Sequence, residues 1–360
     1  MSSIGTSTNM KSEADLEAKI PASQALGKQS IKFSSPVYLV NSASVVGKKE
    51  GEGPLGELFD VVIQDDKDGF TTWEEAESAL QRDAVTTLLQ KSSIRTENIR
   101  YLFAGDLLGQ SIASTFGLMT FELPFVGLYG ACSTCGLSLS LGSMAIAGGF
   151  AENVICVTSS HFASAEKEFR FPLAYGNQRP LSASWTVTGS GAFLLSNQKS
   201  SGVRAAITGI TTGKIVDYGV KDSMNMGACM APAAANIILQ HMKDFHAKPE
   251  DYDKIITGDL GKVGQEILID LLLQKDMNIE KQSMDCGVEI FNPDTQDTHA
   301  GGSGCGCSAV VLSAYILRQI ETGAWKKVLF IPTGALLSKT SFNEGQSVPG
   351  VAHAVILEKI

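Results

Sequence analysis

The chain repeats itself, and that repetition limits its folds more than any single motif does. Residues 98–107 read Asn-Ile-Arg-Tyr-Leu-Phe-Ala-Gly-Asp-Leu, and residues 251–260 read Asp-Tyr-Asp-Lys-Ile-Ile-Thr-Gly-Asp-Leu. Each is a short apolar strand closed by the same triplet, Gly105-Asp106-Leu107 or Gly258-Asp259-Leu260. Each follows a helical stretch, near 75–91 and 229–247. A second echo runs from Ser138 to Ser160: a small-residue helix, a Gly149-Phe150-Ala151 break, then the strand Val154-Ile155-Cys156-Val157. Its counterpart runs from Val310 to Gly334, with the break at Gly323-Ala324-Trp325 and the strand at Val328-Leu329-Phe330-Ile331. A third echo sets Gly191-Ala192-Phe193-Leu194-Leu195 against His353-Ala354-Val355-Ile356-Leu357. Internal copies of this kind point to like units that bury their apolar faces against each other.

The strands are short, apolar and β-branched, and helices alternate with them. That pattern predicts an α/β protein with parallel or mixed sheets covered by helices. The reading is a polar N-terminal segment, 1–30, followed by two α/β halves, 31–200 and 201–360. Within the first half, the charged excursion 48–80 reads as surface loops and a solvated face. Thr72 and Glu75 there have the spacing of a capping box opening a helix.

Composition removes other classes. A formal charge of −9 disfavours a general nucleic-acid binder, whose surface is usually basic. Seven cysteines, several within apolar Gly-rich runs, suit a reduced intracellular protein better than a disulfide scaffold. No apolar leader opens the sequence. Residues 123–151 carry no charge, a length that would suit a membrane span. Pro124, six glycines and a Cys-Ser-Thr-Cys cluster in the run favour a strand, a tight turn and a buried helix instead.

The chemistry concentrates in two glycine-rich turns. The first is Tyr129-Gly130-Ala131-Cys132-Ser133-Thr134-Cys135-Gly136. A cysteine between a strand and a helix start meets unpaired N–H groups and the positive helix end, which favour a thiolate or a bound anion. A buried structural cysteine is the plainer reading. Cys132-x-x-Cys135 also has redox or half-zinc spacing, with Cys286, His299, Cys305 and Cys307 as remaining zinc candidates. Cys305-Gly-Cys307 has the wrong spacing for a standard knuckle, so no metal site is assigned. The second turn is Asp297-Thr298-His299-Ala300-Gly301-Gly302-Ser303-Gly304-Cys305-Gly306-Cys307. Carrying the match of Val154 and Val328 back along the chain sets Cys132 against Gly306. The two turns therefore open equivalent helices and should face each other. His299 could then act as acid, base or donor, or be structural.

Together these features resemble the thiolase superfamily, which includes thiolases and β-ketoacyl-carrier-protein synthases. Ala131-Cys132-Ser133-Thr134 resembles its nucleophile turn, Thr188-Gly189-Ser190-Gly191 its glycine turn, and Thr333-Gly334-Ala335 its final turn. His299-Ala-Gly-Gly-Ser-Gly resembles the thiolase histidine loop with one residue fewer. The resemblance covers residues 31–360 and implies a duplicated five-layer α-β-α-β-α fold with two mixed sheets, usually a homodimer. A sporulation branch of the superfamily fits more closely, through Thr158-Ser-Ser-His161, Phe169-Arg170-Phe171-Pro172, Tyr175-Gly176, Gln178-Arg179-Pro180 and Trp185-Thr186-Val187-Thr188-Gly189.

That resemblance implies a non-enzymatic role: binding dipicolinic acid (pyridine-2,6-dicarboxylate), as such or as its calcium chelate, for uptake into developing spores and release at germination. It also implies peripheral placement at the spore inner membrane with co-encoded stage V sporulation membrane proteins, and no cofactor. The chain departs from both enzyme types. Gly258-Asp259 stands where decarboxylating synthases carry a histidine, and Thr333-Gly334-Ala335 where thiolases carry a second cysteine. The alternative is a condensing or acyl-transfer enzyme with Cys132 as nucleophile. For a dicarboxylate, the candidate set is Cys132, Ser133, Thr134, His161, Arg170, Gln178, Arg179, Asp259, His299, Gly301 and Gly334. Phe169, Phe171, Tyr175 and Trp185 supply aromatic walls. Either arginine could instead pair with Glu166, Glu168 or a partner subunit's acid.

Overall fold

The computed structural model describes residues 24–170, 178–200 and 202–360. Most of the N-terminal polar segment, and Phe171 and Tyr175 of the expected aromatic wall, lie outside these residues. Ten principal strands form a single hydrogen-bonded path. They are β1 (Ser30–Val46), β2 (Tyr101–Gly105), β3 (Phe125–Gly127), β4 (Asn153–Ser160) and β5 (Gly189–Ser196). The second five are β6 (Ala205–Thr212), β7 (Lys254–Thr257), β8 (Ser283–Asp285), β9 (Lys327–Ile331) and β10 (Gly350–Glu358). Their order is β8-β7-β9-β10-β6-β1-β5-β4-β2-β3.

That order is a palindrome. Starting from its centre, each half places the strands in the same sequence and pairs them in the same sense. The repeated Gly-Asp-Leu strands, β2 and β7, each sit between two parallel neighbours. Register repeats too. Tyr101 faces Val154 as Lys254 faces Val328, and Val154 faces Leu195 as Val328 faces Leu357. The three sequence echoes therefore occupy equivalent places. One feature differs from the expected pair of sheets. The 17-residue strand β1 pairs antiparallel with both β5 and β6, across a register break between Lys32 and Val37. It ties the two sheets into one path.

Helices fill three layers. On the outside of the first sheet lies α1 (Trp73–Ser92), opened by the expected capping box of Thr72 and Glu75, with α2 (Ile112–Leu118) beside it. Between the sheets lie α3 (Thr134–Ala147) and α7 (Cys305–Val311). Outside the second sheet lie α5 (Met226–Phe245) and α6 (Gly261–Leu273), while α4 (Phe162–Phe169) projects from the end of β4. The uncharged run 123–151 is thus β3, a turn and the central helix α3. Among the described residues no helix is long and apolar enough to cross a membrane.

A helix between two sheets must be thin and must satisfy its own polar atoms. The small residues of α3 and α7 meet the first demand throughout and the second at all but Ser143, whose buried hydroxyl has no hydrogen-bond partner among the described residues. Ser138 and Ser140 return their hydroxyls to the carbonyls of Cys135 and Gly136. Gly142 lies where a Cβ would stand 2.8 Å from Cys156 Sγ, and Gly136 where one would stand 2.9 Å from the carbonyl of His353. On α7, Ala309 abuts Gly191 of β5.

The charged excursion 48–80 is less solvated than its composition suggests. Glu50 and Glu77 are fully buried. Glu50 Oε1 accepts the Thr188 N–H, and Glu77 accepts the hydroxyls of Ser159 and Ser164. Burial pushes each carboxyl up to about 8.

Packing at the central layer leads to a direct expectation. A methyl group on Gly191 would lie 2.7 Å from backbone and side-chain carbons of Ala309. Gly191→Ala should destabilise the protein by about 1–3 kcal/mol. Urea denaturation of the two proteins checks this, and equal midpoints would contradict the close packing of α7 on β5.

Candidate ligand-binding cleft

The nucleophile-like turn is positioned by β3 behind it and α3 ahead of it. Ala131 takes a left-handed conformation, φ 49°, which turns the chain sharply before the helix. Gly334 closes over this turn: a Cβ there would meet the Gly130 carbonyl at 2.3 Å and the Ser133 nitrogen at 3.0 Å. The turn's polar groups are spent on itself. Ser133 N–H donates to Gly130 O and Thr134 N–H to Ala131 O, both at 3.1 Å. The Ser133 and Thr134 hydroxyls donate to the same two carbonyls at 2.6 Å. Both side chains are buried. The amide cradle expected at Ser133 and Thr134 is therefore closed by the turn's own hydrogen bonding.

Cys132 opens partly onto a small cleft. Leu107, Ala165, Phe169, Arg170, Thr186, Met226, Ser303, Ala335 and Leu337 line it. The walls are mainly apolar, and Arg170 is the one cationic side chain among the described residues that line it. Arg170 forms a fork with Glu166, Nε to Oε2 at 2.8 Å and Nη2 to Oε1 at 2.6 Å. This is the alternative partner that the sequence offered. The guanidinium still borders the cleft, 17% exposed.

Asp259 lies directly behind Cys132 and is fully buried. Its Oδ2 accepts the Gly304 N–H at 2.9 Å, and its Oδ1 accepts the Thr333 hydroxyl at 2.8 Å. The Cys132 thiol lies beside this carboxylate. Desolvation, with Asp285 nearby, raises the Asp259 carboxyl to about 7. Desolvation and Asp259 together push the Cys132 thiol well above its ordinary value, against smaller opposing effects from the Gly304 N–H and Arg170. The expectation that this turn favours a thiolate is thus corrected. A helix start stabilises an anion only where its amides are free and no carboxylate competes.

His299 does not line the cleft. Its φ is 54°, Nδ1 lies 2.9 Å from Pro180 O, and Nε2 lies 3.0 Å from Asp297 Oδ1. Both nitrogens are engaged on the far side of its loop, which is one residue shorter than the thiolase pattern. Gly301, φ 117°, lets that loop pass against Gly287 O, where a Cβ would stand at 2.4 Å. Arg179 belongs to the same outer cluster. Its Nη2 donates to Asp297 O and Oδ2, and its guanidinium lies 4.8 Å over Trp185. Trp185 stacks on Phe162, rings 3.7 Å apart, behind the Thr186 that faces the cleft. Gln178 is exposed. His161 caps α4: Nδ1 accepts the Ala163 N–H, Nε2 meets Asp66 O at 2.8 Å, and burial lowers its pKa.

Of the eleven sequence candidates, the structure brings Cys132, Arg170 and Asp259 together, with Gly334 as support. It places His161, Gln178, Arg179 and His299 elsewhere. Sequence reasoning missed Leu107, Met226, Ser303 and Leu337. Leu107 carried a signal, since it closes the repeated Gly-Asp-Leu triplet.

A duplicated palindromic sheet around two central helices, with a cysteine turn at their junction, defines a protein of thiolase-like architecture. Solved structures agree on the fold. The 3-oxoacyl-[acyl-carrier-protein] synthase III from Aquifex aeolicus VF5 matches with TM-score 0.53 at 13% identity, covering 89% of this chain and 99% of that one. Human mitochondrial 3-ketoacyl-CoA thiolase matches with TM-score 0.54 at 13% identity, covering 90% and 99%. Sequence similarity is narrower. Residues 27–358 match the family described as Stage V sporulation protein AD (SpoVAD). The stage V sporulation protein AD of Bacillus subtilis (strain 168) is 41% identical over 333 residues, 92% of this chain and 97% of that protein. The chain belongs to the stage V sporulation protein AD family, and is a sporulation protein on a thiolase-like fold.

The Cys132–Asp259 pair makes a chemical expectation. Alkylation of Cys132 by iodoacetamide at pH 8 should be slow. Asp259→Asn removes the competing carboxylate, and each unit by which the thiol's pKa falls raises the thiolate fraction about tenfold. Peptide mass spectrometry should record faster labelling of Cys132 in the variant, and an unchanged rate would contradict the pairing.

Proposed function

We propose that this protein binds dipicolinic acid in the Cys132 cleft without turnover and serves its uptake into the developing spore and its release at germination. The observation that carries this reading is the partner of Cys132. A condensing or acyl-transferring cysteine needs a base that withdraws its proton, worth typically 10²–10⁴-fold in rate. Here a buried carboxylate holds the thiol in its protonated form, and His299 is tied to Pro180 and Asp297. What remains is a narrow apolar slot with a guanidinium at its side, which suits a flat ring bearing carboxylates. Cys132 is then a wall residue. Arg170 swings part of its fork from Glu166 to the ligand.

Titration calorimetry with dipicolinate, paired with intact-mass analysis after incubation with acyl-CoA, tests this. The expected result is saturable binding with no adduct on Cys132. Arg170→Ala should weaken binding about 10–100-fold, the loss of a hydrogen bond to a charged group. A stoichiometric acyl adduct on Cys132 without dipicolinate binding would establish the enzyme reading instead.

The same reading places the protein peripherally at the spore inner membrane, beside the membrane proteins encoded with it, as a homodimer. Supporting the dimer, β3 pairs only with β2 among the described residues, and Phe116, Met119, Phe125 and Tyr129 stand exposed around this edge. Light scattering should give twice the 38.2 kDa chain mass at micromolar concentration, and a purely monomeric species would remove the dimer.

A further inference from the structure

The cleft has a charge imbalance that bears on how it could take a dianion. Arg170 is already matched by Glu166. Asp259 adds a buried carboxylate directly behind Cys132. No lysine borders the cleft among the described residues. Two further carboxylates in this mainly apolar cleft would leave a net excess of negative charge beside apolar walls, where unpaired charge is most costly. Some positive charge must enter with the ligand.

We propose that the dicarboxylate binds together with one proton, which is taken up by Asp259. This rests on the ligand assignment above and specifies how that site is regulated. The hydrogen bonds around Asp259 decide where the proton goes. Gly304 N–H is a fixed donor and holds Oδ2 as an acceptor. Its other hydrogen-bond partner, the Thr333 hydroxyl on Oδ1, can rotate and accept instead of donating. A proton on Oδ1 therefore finds an acceptor without any backbone movement. Asp285, the neighbouring buried carboxylate, has no such freedom. Its oxygens accept three backbone N–H groups, from Leu260, Gly261 and Val288, besides the Thr257 hydroxyl. Burial raises its carboxyl to about 6 against those donors, below the value of about 7 for Asp259, so at pH 8 it is the more fully ionised of the two.

The other ionisable groups around Asp259 do not compete for this proton. Cys132, Cys286 and Cys307 are buried thiols held protonated well above neutral pH. Asp285 favours the proton on Asp259 by like-charge repulsion. Across Cys132, the Arg170 guanidinium faces the Glu166 carboxylate in their fork. A divalent cation carried by the ligand is the competing source of positive charge. It is disfavoured here because among the described residues no group of three or more carboxylate, histidine or cysteine side chains is arranged to hold a metal ion.

The sign of the effect follows from the direction of the exchange. Free protein at pH 8 holds Asp259 mainly ionised, and the bound state holds it protonated. Affinity should therefore fall as pH rises above about 7, approaching tenfold per pH unit. Calorimetric titrations of calcium-free dipicolinate at pH 8, in buffers of different ionisation enthalpy, count the protons exchanged. The expected count is close to one proton taken up per ligand by the wild type and close to zero in Asp259→Asn, whose affinity is flat from pH 7 to 9. The wild-type count alone decides if that variant does not fold. Binding with no proton uptake, or binding that requires one added calcium ion per site, would overturn the inference and leave the ligand assignment standing. No binding at any pH, with or without calcium, would overturn both.

Discussion

The structure depends on two thin helices being accepted between two sheets. Helix α7 is fully buried, and α3 shows the stripe Leu137, Leu141, Met144 and Ala145 toward the surface, so both must be narrow where the sheets close on them. Glycine at 136, 142 and 306 permits the approach, and serine hydroxyls fold back on the helix carbonyls. Everything else is arranged around this layer. Strand order, strand direction and register repeat on its two sides because two similar sheets must each present an apolar face to it. Both glycine-rich turns lie at its ends, so the place where chemistry could occur is fixed by the packing of the core.

Burial at that junction also determines what the chemistry can be. A cysteine at a helix start is commonly activated by free amides and a nearby cation. Here the amides of Ser133 and Thr134 are consumed by a tight turn, and the adjacent ionisable group is a carboxylate. Arg170 is close enough to oppose this, but its fork with Glu166 reduces its effect. A thiol in such surroundings is held uncharged, and an uncharged thiol is a poor nucleophile with a polarisable surface.

The duplication shows how copies diverge. Asp106 and Asp259 close identical Gly-Asp-Leu triplets at the ends of equivalent strands. Asp106 turns outward to α2, accepting the Leu108 N–H and both the N–H and hydroxyl of Ser114. Asp259 turns inward to Gly304, Thr333 and Cys132. One aspartate secures a helix and its copy forms the back of the cleft.

The sequence by itself determined the architecture. Repeated strands, alternating helices and the uncharged small-residue helix were legible because hydrophobic period and glycine spacing are local properties, and register follows from them. The turn at Cys132 and the capping box at Thr72 were legible for the same reason. Side-chain direction was not. Nothing in the order of residues told that His299 would face Pro180 and Asp297, that Arg179 would lie over Trp185, or that Glu50 would be buried within a charged loop. Those outcomes depend on which groups from distant segments arrive at the same place. The tertiary structure alone decided which of two identical Gly-Asp-Leu triplets would stand behind Cys132, because the partners that select it, Gly304 and Thr333, are brought there only when the two halves close on their shared helices.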